Sequence, residues 1–466
     1  MLRPRLWFAL LFLPVACEPD SAPPKGTTTP TATTGNDDSA PVGELGETAP
    51  ENIVVELSDE VRTVARVSWT TRAATSGYVR FGENGSLNLA TNTTTPGTEH
   101  SVLLLGVPPA TLVELEVVTV GDPEVVSARQ SYTTGALPPE LPVTSTTGAV
   151  ESWVGGYQVL PLQGSSFAVT IVDDQGRFVW YDMLEPGFNL MRALLSADGT
   201  RMLYCLAGPQ DNLSVGVIRQ VDLYTGAHVD VPFPYIDHDF IELPDGTWAG
   251  IVVSETAGNV FDRILEMPAG GGDTVEVWNA YEDPVLLEFL DTAPMGTNFT
   301  HANALDYDPV EDAYYVSLKN LGTIVKIDRA TGNSVWHLNG LPNSFEALAG
   351  TPQVELAHQF QMLPGKVLIF DNGPTTRGWS QVLEMALDED AMTVELLWSY
   401  RHDPDLYVFA KGDVERFADG GTQAVWSSAG EIQNLNAAGD LVWQFNTSIG
   451  FAITFVQRVE SLYGQP

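Results

Sequence analysis

The chain has 466 residues, with 60 Asp and Glu against 22 Lys and Arg, and a formal net charge of −38. A surface this acidic repels phosphate backbones, which argues against nucleic-acid binding. Hydrophobic residues make up 44% of the sequence, enough to build buried cores and too many for a disordered chain. Cys17 and Cys205 are too few for a disulfide framework or a Cys-ligated zinc site.

The first seventeen residues have the features of a bacterial export signal. Arg3 and Arg5 give a basic start, and residues 8–16 form an apolar run that is too short to span a bilayer. Cys17 follows directly, as in a lipoprotein box, so we predict a signal peptide over 1–17 with lipidation at Cys17. Ordinary cleavage near Ala16 is the alternative. We therefore expect an exported bacterial protein, periplasmic or a cell-envelope lipoprotein, that meets a membrane only through this anchor.

Residues 18–50 are rich in Pro, Thr, Ser and Gly, with almost no large apolar side chains. Such a segment cannot bury a core and predicts a flexible linker. Residues 51–136 then alternate in period two over short runs broken by Gly, Pro and Asn, which is typical of a β-sandwich. An early Trp69 and the run Val107-Pro-Pro-Ala-Thr111 before a long strand make this segment similar to a fibronectin type III domain.

After a proline-bearing hinge at 137–142, residues 143–466 repeat a strand, a tight turn and a second strand. The repeat length of about 55 residues is typical of β-propeller blades and leaves room for six. We expect the terminal strand at 451–462 to close the ring against the first blade. The predicted fold class is therefore all-β: an N-terminal fibronectin III-like β-sandwich followed by a six-bladed β-propeller.

Three of the seven histidines occupy the same register of three successive repeats, each at the start of the inner strand. They are His238, His301 and His358. Equivalent inner-strand positions line the channel of a propeller, so three imidazoles would converge. Such a group suits metal binding, or nucleophilic and acid–base catalysis on an anion. Inheritance of a histidine that bonds one blade to the next is the structural alternative. Strand alternation turns Asp239, the nearest carboxylate, to the other face.

The remaining histidines share no such register, and we interpret them as surface or turn residues: His100, His228, His337 and His402. Beyond the third histidine, Asp371 and Asn372 are expected to shape a turn rather than touch substrate. Arg377, near the same loop, is a candidate for extra positive charge at the channel mouth.

The run from His238 to Gly246, the run from His301 to Lys319, and His358-Gln with Phe370-Asp-Asn-Gly373 resemble the bacterial arylsulfate sulfotransferases. Members of that family are exported six-bladed propellers, often with a small N-terminal β-domain. They move a sulfuryl group from a phenolic sulfate ester to a phenol without the nucleotide sulfate donor PAPS. The resemblance implies a phenolic sulfate donor, a phenol acceptor and no cofactor or metal.

The resemblance also implies roles for single residues. His358 would be the nucleophile that becomes a sulfohistidine. His238 and His301 would bind sulfuryl oxygens, or serve the phenolic oxygen as acid and base, while Asn303 would hydrogen-bond the sulfate. Lys319 stands where the family usually has Arg, which keeps the charge but loses the two-pronged grip on a tetrahedral anion.

The chemistry also follows from the residue types. A sulfate ester repels anionic nucleophiles, so a neutral imidazole can attack where a carboxylate cannot, and preorganised donors stabilise the developing charge. Two other hypotheses stay open: a non-catalytic exported propeller that binds a partner, and a metal-dependent hydrolase with a three-histidine site.

Overall fold

The structure, a computed structural model, describes residues 46–148, 156–185, 187–292 and 298–463. The predicted signal peptide at 1–17, Cys17 and nearly all of the predicted linker lie outside these residues. Within them, no helix is long and apolar enough to cross a membrane. The described helices are single turns, at Pro284–Leu287 (α1) and, in 3₁₀ form, at Leu213–Val215, Leu290–Thr292 and Ser427–Ala429.

The N-terminal region consists of two antiparallel sheets with a shared core. One sheet has the order β1-β2-β5; in the other, β4-β3-β6 continues into β7 and β8, which both pair with β6. Alternate residues of β2 are buried, including Trp69, as the period-two pattern predicts. The fibronectin type III subtype stays a prediction. The strands are β1 (Glu51–Leu57), β2 (Ala65–Thr75), β3 (Gly77–Glu83), β4 (Leu89–Ala90), β5 (Gly97–Leu104), β6 (Leu112–Thr119), β7 (Val125–Val126) and β8 (Gln130–Thr133).

Six further sheets of four or five strands follow within the described residues, and they form the blades of a propeller. Strand order in the sheets follows chain order except where the ring closes and in the fifth blade, where the short strand at Glu346–Ala347 precedes the blade in the chain but pairs in parallel with its outermost strand. The first half comprises β9 (Thr144–Gly148), β10 (Tyr157–Gly164), β11 (Ala168–Val172), β12 (Phe178–Met183), β13 (Asn189–Leu195), β14 (Arg201–Ala207), β15 (Val217–Asp222), β16 (His228–Pro232), β17 (Ile236–Glu242), β18 (Thr247–Thr256), β19 (Asn259–Pro268) and β20 (Val275–Asn279).

The second half completes the ring. It comprises β21 (Ala302–Asp308), β22 (Ala313–Leu318), β23 (Thr323–Asp328), β24 (Ser334–Leu338), β25 (Glu346–Ala347), β26 (Ala357–Leu363), β27 (Lys366–Asp371), β28 (Gln381–Asp388), β29 (Thr393–Arg401), β30 (Asp413–Arg416), β31 (Thr422–Trp426), β32 (Glu431–Leu435), β33 (Leu441–Thr447), β34 (Gly450–Ile453) and β35 (Gln457–Val459).

The ring is closed from both ends of the chain. β9 adds an outer strand to the last blade by pairing with β33. β34 and β35 supply the inner edge of the first blade by pairing with β10, which confirms that the terminal strand closes the ring.

Burial explains why the blades stack. β14 and β22, each the second strand of its blade, are buried along almost their whole length, so both faces of each sheet pack on neighbouring blades. Large apolar clusters accordingly combine residues of adjacent blades. The inner strands contact one another in chain order and enter the ring from the same end. At that end the pairing of β13, β17, β21 and β26 with their neighbours is interrupted by register shifts.

The sandwich is joined to the first propeller blades by specific contacts. Arg177, beside β12, donates to Glu83 of β3 at 2.8 and 3.2 Å and to Asp173 at 2.7 Å. The Arg66 guanidinium lies 4.0 Å from the ring centroid of Tyr224. These links hold the sandwich against the first two blades of the ring.

Candidate active site

The predicted histidines converge, although not through a common register. Measured from the first paired residue of each inner strand, His238 lies two positions later, His301 one earlier and His358 one later. The expected single register is therefore wrong. The irregular start of each strand places the side chains individually, and a repeat pattern cannot reveal such bulges. The reference residues are Ile236, Ala302 and Ala357.

His238 and His301 form an edge-to-face pair, with ring centroids 4.8 Å apart at 66°. Both have left-handed backbones, with φ of +55° and +50°, which are rare for residues with a Cβ and common at functional sites. His238 Nδ1 lies 3.1 Å from an Asp237 carboxylate oxygen, and His301 Nδ1 lies 3.1 Å from Asn298 Nδ2. The chain thus uses backbone strain to bring two imidazoles together.

His358 is oriented by Asn372. Asn372 Nδ2 donates to the carbonyls of Val408 and Lys411 at 2.9 and 2.8 Å, which fixes the amide so that Oδ1 faces His358 Nδ1 at 3.0 Å. Because Oδ1 only accepts, Nδ1 carries the proton and Nε2 keeps its lone pair. Asn372 therefore selects the tautomer of His358, a role that the sequence did not suggest.

The rest of the Phe370–Gly373 run builds the turn that holds Asn372. The Asp371 carboxylate accepts from the backbone amides of Glu355 and Leu356, and from Arg377 at 2.6 Å. Gly373 has φ of +70°, and a Cβ there would stand 2.1 Å from the Arg377 guanidinium. Glycine is therefore required at this position. As expected, Asp371 shapes the turn.

Two lysines bring positive charge to the site. Lys319 follows β22, and its backbone N–H donates to the His301 carbonyl at 3.2 Å. Lys411, which the sequence analysis missed, precedes β30 with φ of +63°, and its Nζ lies 3.3 Å from Met191 Sδ. In the described part of the chain, neither lysine has a carboxylate within ion-pair distance, whereas Lys326 and Lys366 each pair with a glutamate.

Burial sets the charge state of these groups. It lowers the pKa of His301 to about 2, with a further contribution from His238. Burial, followed by the charge of Lys411, lowers the pKa of His358 well below its usual range, so this imidazole is neutral. Burial also lowers the pKa of both Lys319 and Lys411, because each ammonium is removed from water. An anion that entered the site would relieve this penalty.

Of three expectations about single residues, one stays a prediction, one is wrong and one is confirmed. Asn303 is completely buried and its amide donates to the Ala357 carbonyl at 3.0 Å, so it links two blades, and its bond to the sulfate stays a prediction. Arg377 adds no free charge at the mouth, because it is paired with Asp371. Asp239 does point away from the histidines, as expected, and pairs with Arg192 at 3.0 Å.

Two of the other histidines are buried, contrary to the surface or turn interpretation. His100 stacks on Trp69 at 4.9 Å in the sandwich, and His337 is buried with Nε2 3.6 Å from Asp283. His402 is partly buried against Glu431, while His228 is exposed. The sequence could not separate these because a lone histidine fits a core as well as a surface.

A metal site finds little support. Among the described residues, no group of three or more His, Cys, Asp or Glu side chains has an arrangement that could hold a metal ion. Cys205 is a buried free thiol beneath the site, and burial raises its pKa well above the usual value. The described side chains here are a neutral imidazole, two further imidazoles and two ammonium groups without a carboxylate at ion-pair distance, a combination that suits binding of an anion.

The chain belongs to the arylsulfotransferase (ASST) family, whose profile matches residues 162–449, well over half of the sequence. This match confirms the resemblance drawn from the histidine-bearing runs. Family membership supports an aryl sulfotransferase type of activity, and in general terms a phenolic sulfate donor and a phenol acceptor. No curated protein sequence shows significant similarity to the chain.

Similar solved structures are distant. A protein of unknown function from Bacteroides caccae has a TM-score of 0.45 and 13% identity, over 66% of this chain and 100% of that one. A chain of a nidogen/laminin complex has a TM-score of 0.41 and 10% identity, over 66% and 100%. TolB from Acinetobacter baumannii has a TM-score of 0.39 and 11% identity, over 76% and 80%. With TM-scores below 0.5, the blade assignment rests on strand pairing instead.

Proposed function

We propose that the protein is a PAPS-independent aryl sulfotransferase in which His358 carries the sulfuryl group between a phenolic sulfate ester and a phenol. The observation that carries this proposal is the His358–Asn372 contact at 3.0 Å. It leaves Nε2 as the unprotonated nitrogen, and the low pKa of His358 keeps the ring neutral. A neutral nucleophile avoids repulsion from the sulfate oxygens.

In the first step the Nε2 lone pair of His358 forms a bond to sulfur, and the bond between sulfur and the phenolic oxygen breaks. The leaving oxygen takes the electron pair and receives a proton. His238 is the candidate donor, since among the three site histidines it is the one recorded against a carboxylate, that of Asp237, at 3.1 Å. In the second step the phenol acceptor gives up its proton to the same group, and its oxygen takes the sulfuryl group from Nε2.

Lys319, Lys411 and His301 would hold the sulfuryl oxygens as charge develops on them. Neither lysine has a carboxylate at ion-pair distance among the described residues, although the charges of Asp237 and Asp239 act on Lys411, and His301, with its pKa of about 2, acts as a neutral hydrogen-bonding group. The two ammonium groups together compensate for the bidentate hydrogen bonds that an arginine at position 319 would give. Lys319 is therefore not the sole cation that this proposal assigns to the sulfuryl oxygens, because Lys411 also binds them.

The test is mass spectrometry after incubation with 4-nitrophenyl sulfate, in the presence and absence of phenol. We expect a sulfo group on His358 that phenol removes, and phenol-dependent release of 4-nitrophenol. His358→Ala should abolish both, while His228→Ala, which changes an exposed histidine, should leave both intact. Wild-type protein without an adduct or turnover would instead favour a non-catalytic propeller.

We further propose that the protein is exported and tethered through a lipid on Cys17, which the basic, apolar start of the chain supports. Intact-mass analysis of protein made in a bacterial host should detect an acylated N-terminal cysteine, with the protein in the membrane fraction. Cys17→Ser should shift it to the soluble exported fraction. An unmodified N-terminus near Ala16 in the wild type would contradict lipidation and leave export standing.

A further inference from the structure

Two phenylalanines are exposed at the end of the ring where the histidines lie. Phe409 is 58% exposed and Phe451 is 42% exposed, although rings of this size are usually buried. The two rings contact each other, with centroids 6.3 Å apart at 51°. Phe409 lies in the loop before β30 and Phe451 lies in strand β34, so two separate segments of the chain bring the exposed rings together.

Phe409 is fixed by the side chain that orients the nucleophile. Asn372 donates to the carbonyls of Val408 and Lys411, which flank Phe409 on either side, while its Oδ1 faces His358. The Val408 amide also donates to Ser380 Oγ at 2.9 Å. The loop is therefore anchored on both sides of Phe409, and one amide side chain links the position of Phe409 to that of the His358 imidazole.

Phe451 lies on the segment that packs against the other side of His358. Four residues further along, Phe455 places its ring 6.3 Å from the His358 ring and 6.0 Å from Lys411 Nζ. Phe455 itself is buried, while Phe451 and Phe409 are exposed. Each exposed ring therefore lies on a segment that also contacts His358 or the side chain that orients it.

We propose that Phe409 and Phe451 form a platform for the aromatic ring of the substrate, occupied by the sulfate donor and then by the phenol acceptor. This inference rests on the proposed function. The sulfuryl group must lie at His358 and the lysines, so the attached ring extends outward to the exposed pair. Aromatic rings bind each other in offset or edge-to-face contact, without fixed polar groups, which suits varied phenols.

A binding measurement tests the platform without relying on turnover. We would titrate 4-nitrophenol into the wild type and into the double variant Phe409→Ala/Phe451→Ala by calorimetry. We expect the dissociation constant to rise about tenfold, as loss of an aromatic contact pair predicts. Phe409→Tyr should keep the wild-type affinity. Leu441→Ala, which removes an apolar side chain 47% exposed on β33, should change nothing.

Kinetics then distinguish the platform from the proposed function. Because one surface serves both substrates, the double variant should raise KM for 4-nitrophenyl sulfate and for phenol by the same factor, about fivefold, with a smaller change in kcat. Equal phenol affinity in wild type and double variant, or no phenol binding by the wild type, would overturn the platform. Phenol binding that depends on both rings, without any sulfohistidine, would support the platform and reject the sulfotransferase.

Discussion

Two groups of charged side chains at the channel differ in how their cations are compensated. Away from the histidines, Arg192 donates to both carboxylate oxygens of Asp239, at 3.0 and 3.2 Å, and Asp413 contributes further negative charge. At the histidine end, Lys319 and Lys411 have no carboxylate at ion-pair distance among the described residues. One end of the channel has a directly paired, neutralised cation, while at the other end neither ammonium group has a direct carboxylate partner in the described part of the chain and Asp237 lies beside His238.

The contrast shows that a net charge of −38 says little about the potential inside the channel. Pairing of each cation decides that potential, because a buried charge is expensive unless a counter-charge or ligand compensates it. The chain tolerates two desolvated ammonium groups where a sulfate ester would bind. The following predictions test this difference between the two ends.

The largest expected effect is on catalysis by the unpaired lysines. Lys319→Met combined with Lys411→Met should lower kcat/KM for 4-nitrophenyl sulfate by about 10²–10³-fold, because both stabilise charge that develops in the transition state. Steady-state kinetics provide the measurement. Lys366→Met, which removes a lysine paired with Glu384, is the control. A double variant with the activity of this control would show that the lysines do not bind the sulfuryl group.

At the neutralised end the expected effect is on stability. Asp239→Asn leaves the buried Arg192 without its bidentate partner and should lower the free energy of unfolding by about 3 kcal/mol. Urea unfolding monitored by tryptophan fluorescence measures this loss. Asp230→Asn, which breaks the more exposed pair with Arg219, should cost about 0.5 kcal/mol. Equal losses in the two variants would mean that the Asp239 pair is not a buried structural pair.

Orientation of the nucleophile should have a moderate effect. Asn372→Leu removes the acceptor that selects the tautomer of His358, and we expect kcat to fall about 10–100-fold. The rate of sulfohistidine formation in a single turnover is the measurement, with KM for the donor changing less. Asn343→Leu, at an asparagine that bonds within its own turn, should react at the wild-type rate. If Asn372→Leu formed sulfohistidine at the wild-type single-turnover rate, selection of the His358 tautomer by Asn372 would be contradicted.

The sequence predicts the all-β class, the repeat and the closing strand because each follows from local alternation and turn residues. It also points to the three histidines and Lys319, whose roles stay predictions. The regions it misjudges depend on contacts between distant segments. The sequence does not reveal Lys411, because it lies just outside an inner strand and its left-handed backbone is invisible in a strand pattern.

Asn372 and Asn303 show the same limit. Both are polar residues beside a predicted histidine, and nothing local distinguishes an amide that holds a side chain from one that faces substrate. Asn372 acquires its role from carbonyls 36 and 39 residues away, and Asn303 from one 54 residues away. Only the packing of adjacent blades determines these bonds.

The smallest effect expected is a difference in pH dependence between the two ends. The folded pKa of His301 is about 2, below its ordinary value of 6.5, so unfolding takes up a proton and this group lowers stability as pH falls below about 6.5. Burial, reinforced by Asp413, raises the pKa of Glu415 to about 7 from 4.5, so this group lowers stability as pH rises from about 4.5 to 7. The two contributions oppose each other.

A variant that lacks one of these groups should therefore show the pH dependence of stability that the other group contributes. Relative to wild type, His301→Gln should gain a few degrees in Tm between pH 7 and pH 4.5, while Glu415→Gln should gain a similar amount between pH 4.5 and pH 8. Thermal unfolding across this range, at constant ionic strength, is the measurement. Because glutamine cannot titrate, the changes with pH report the lost proton and not the altered packing. Curves that run parallel to wild type in both variants would show that neither group titrates differently in the folded and unfolded chain.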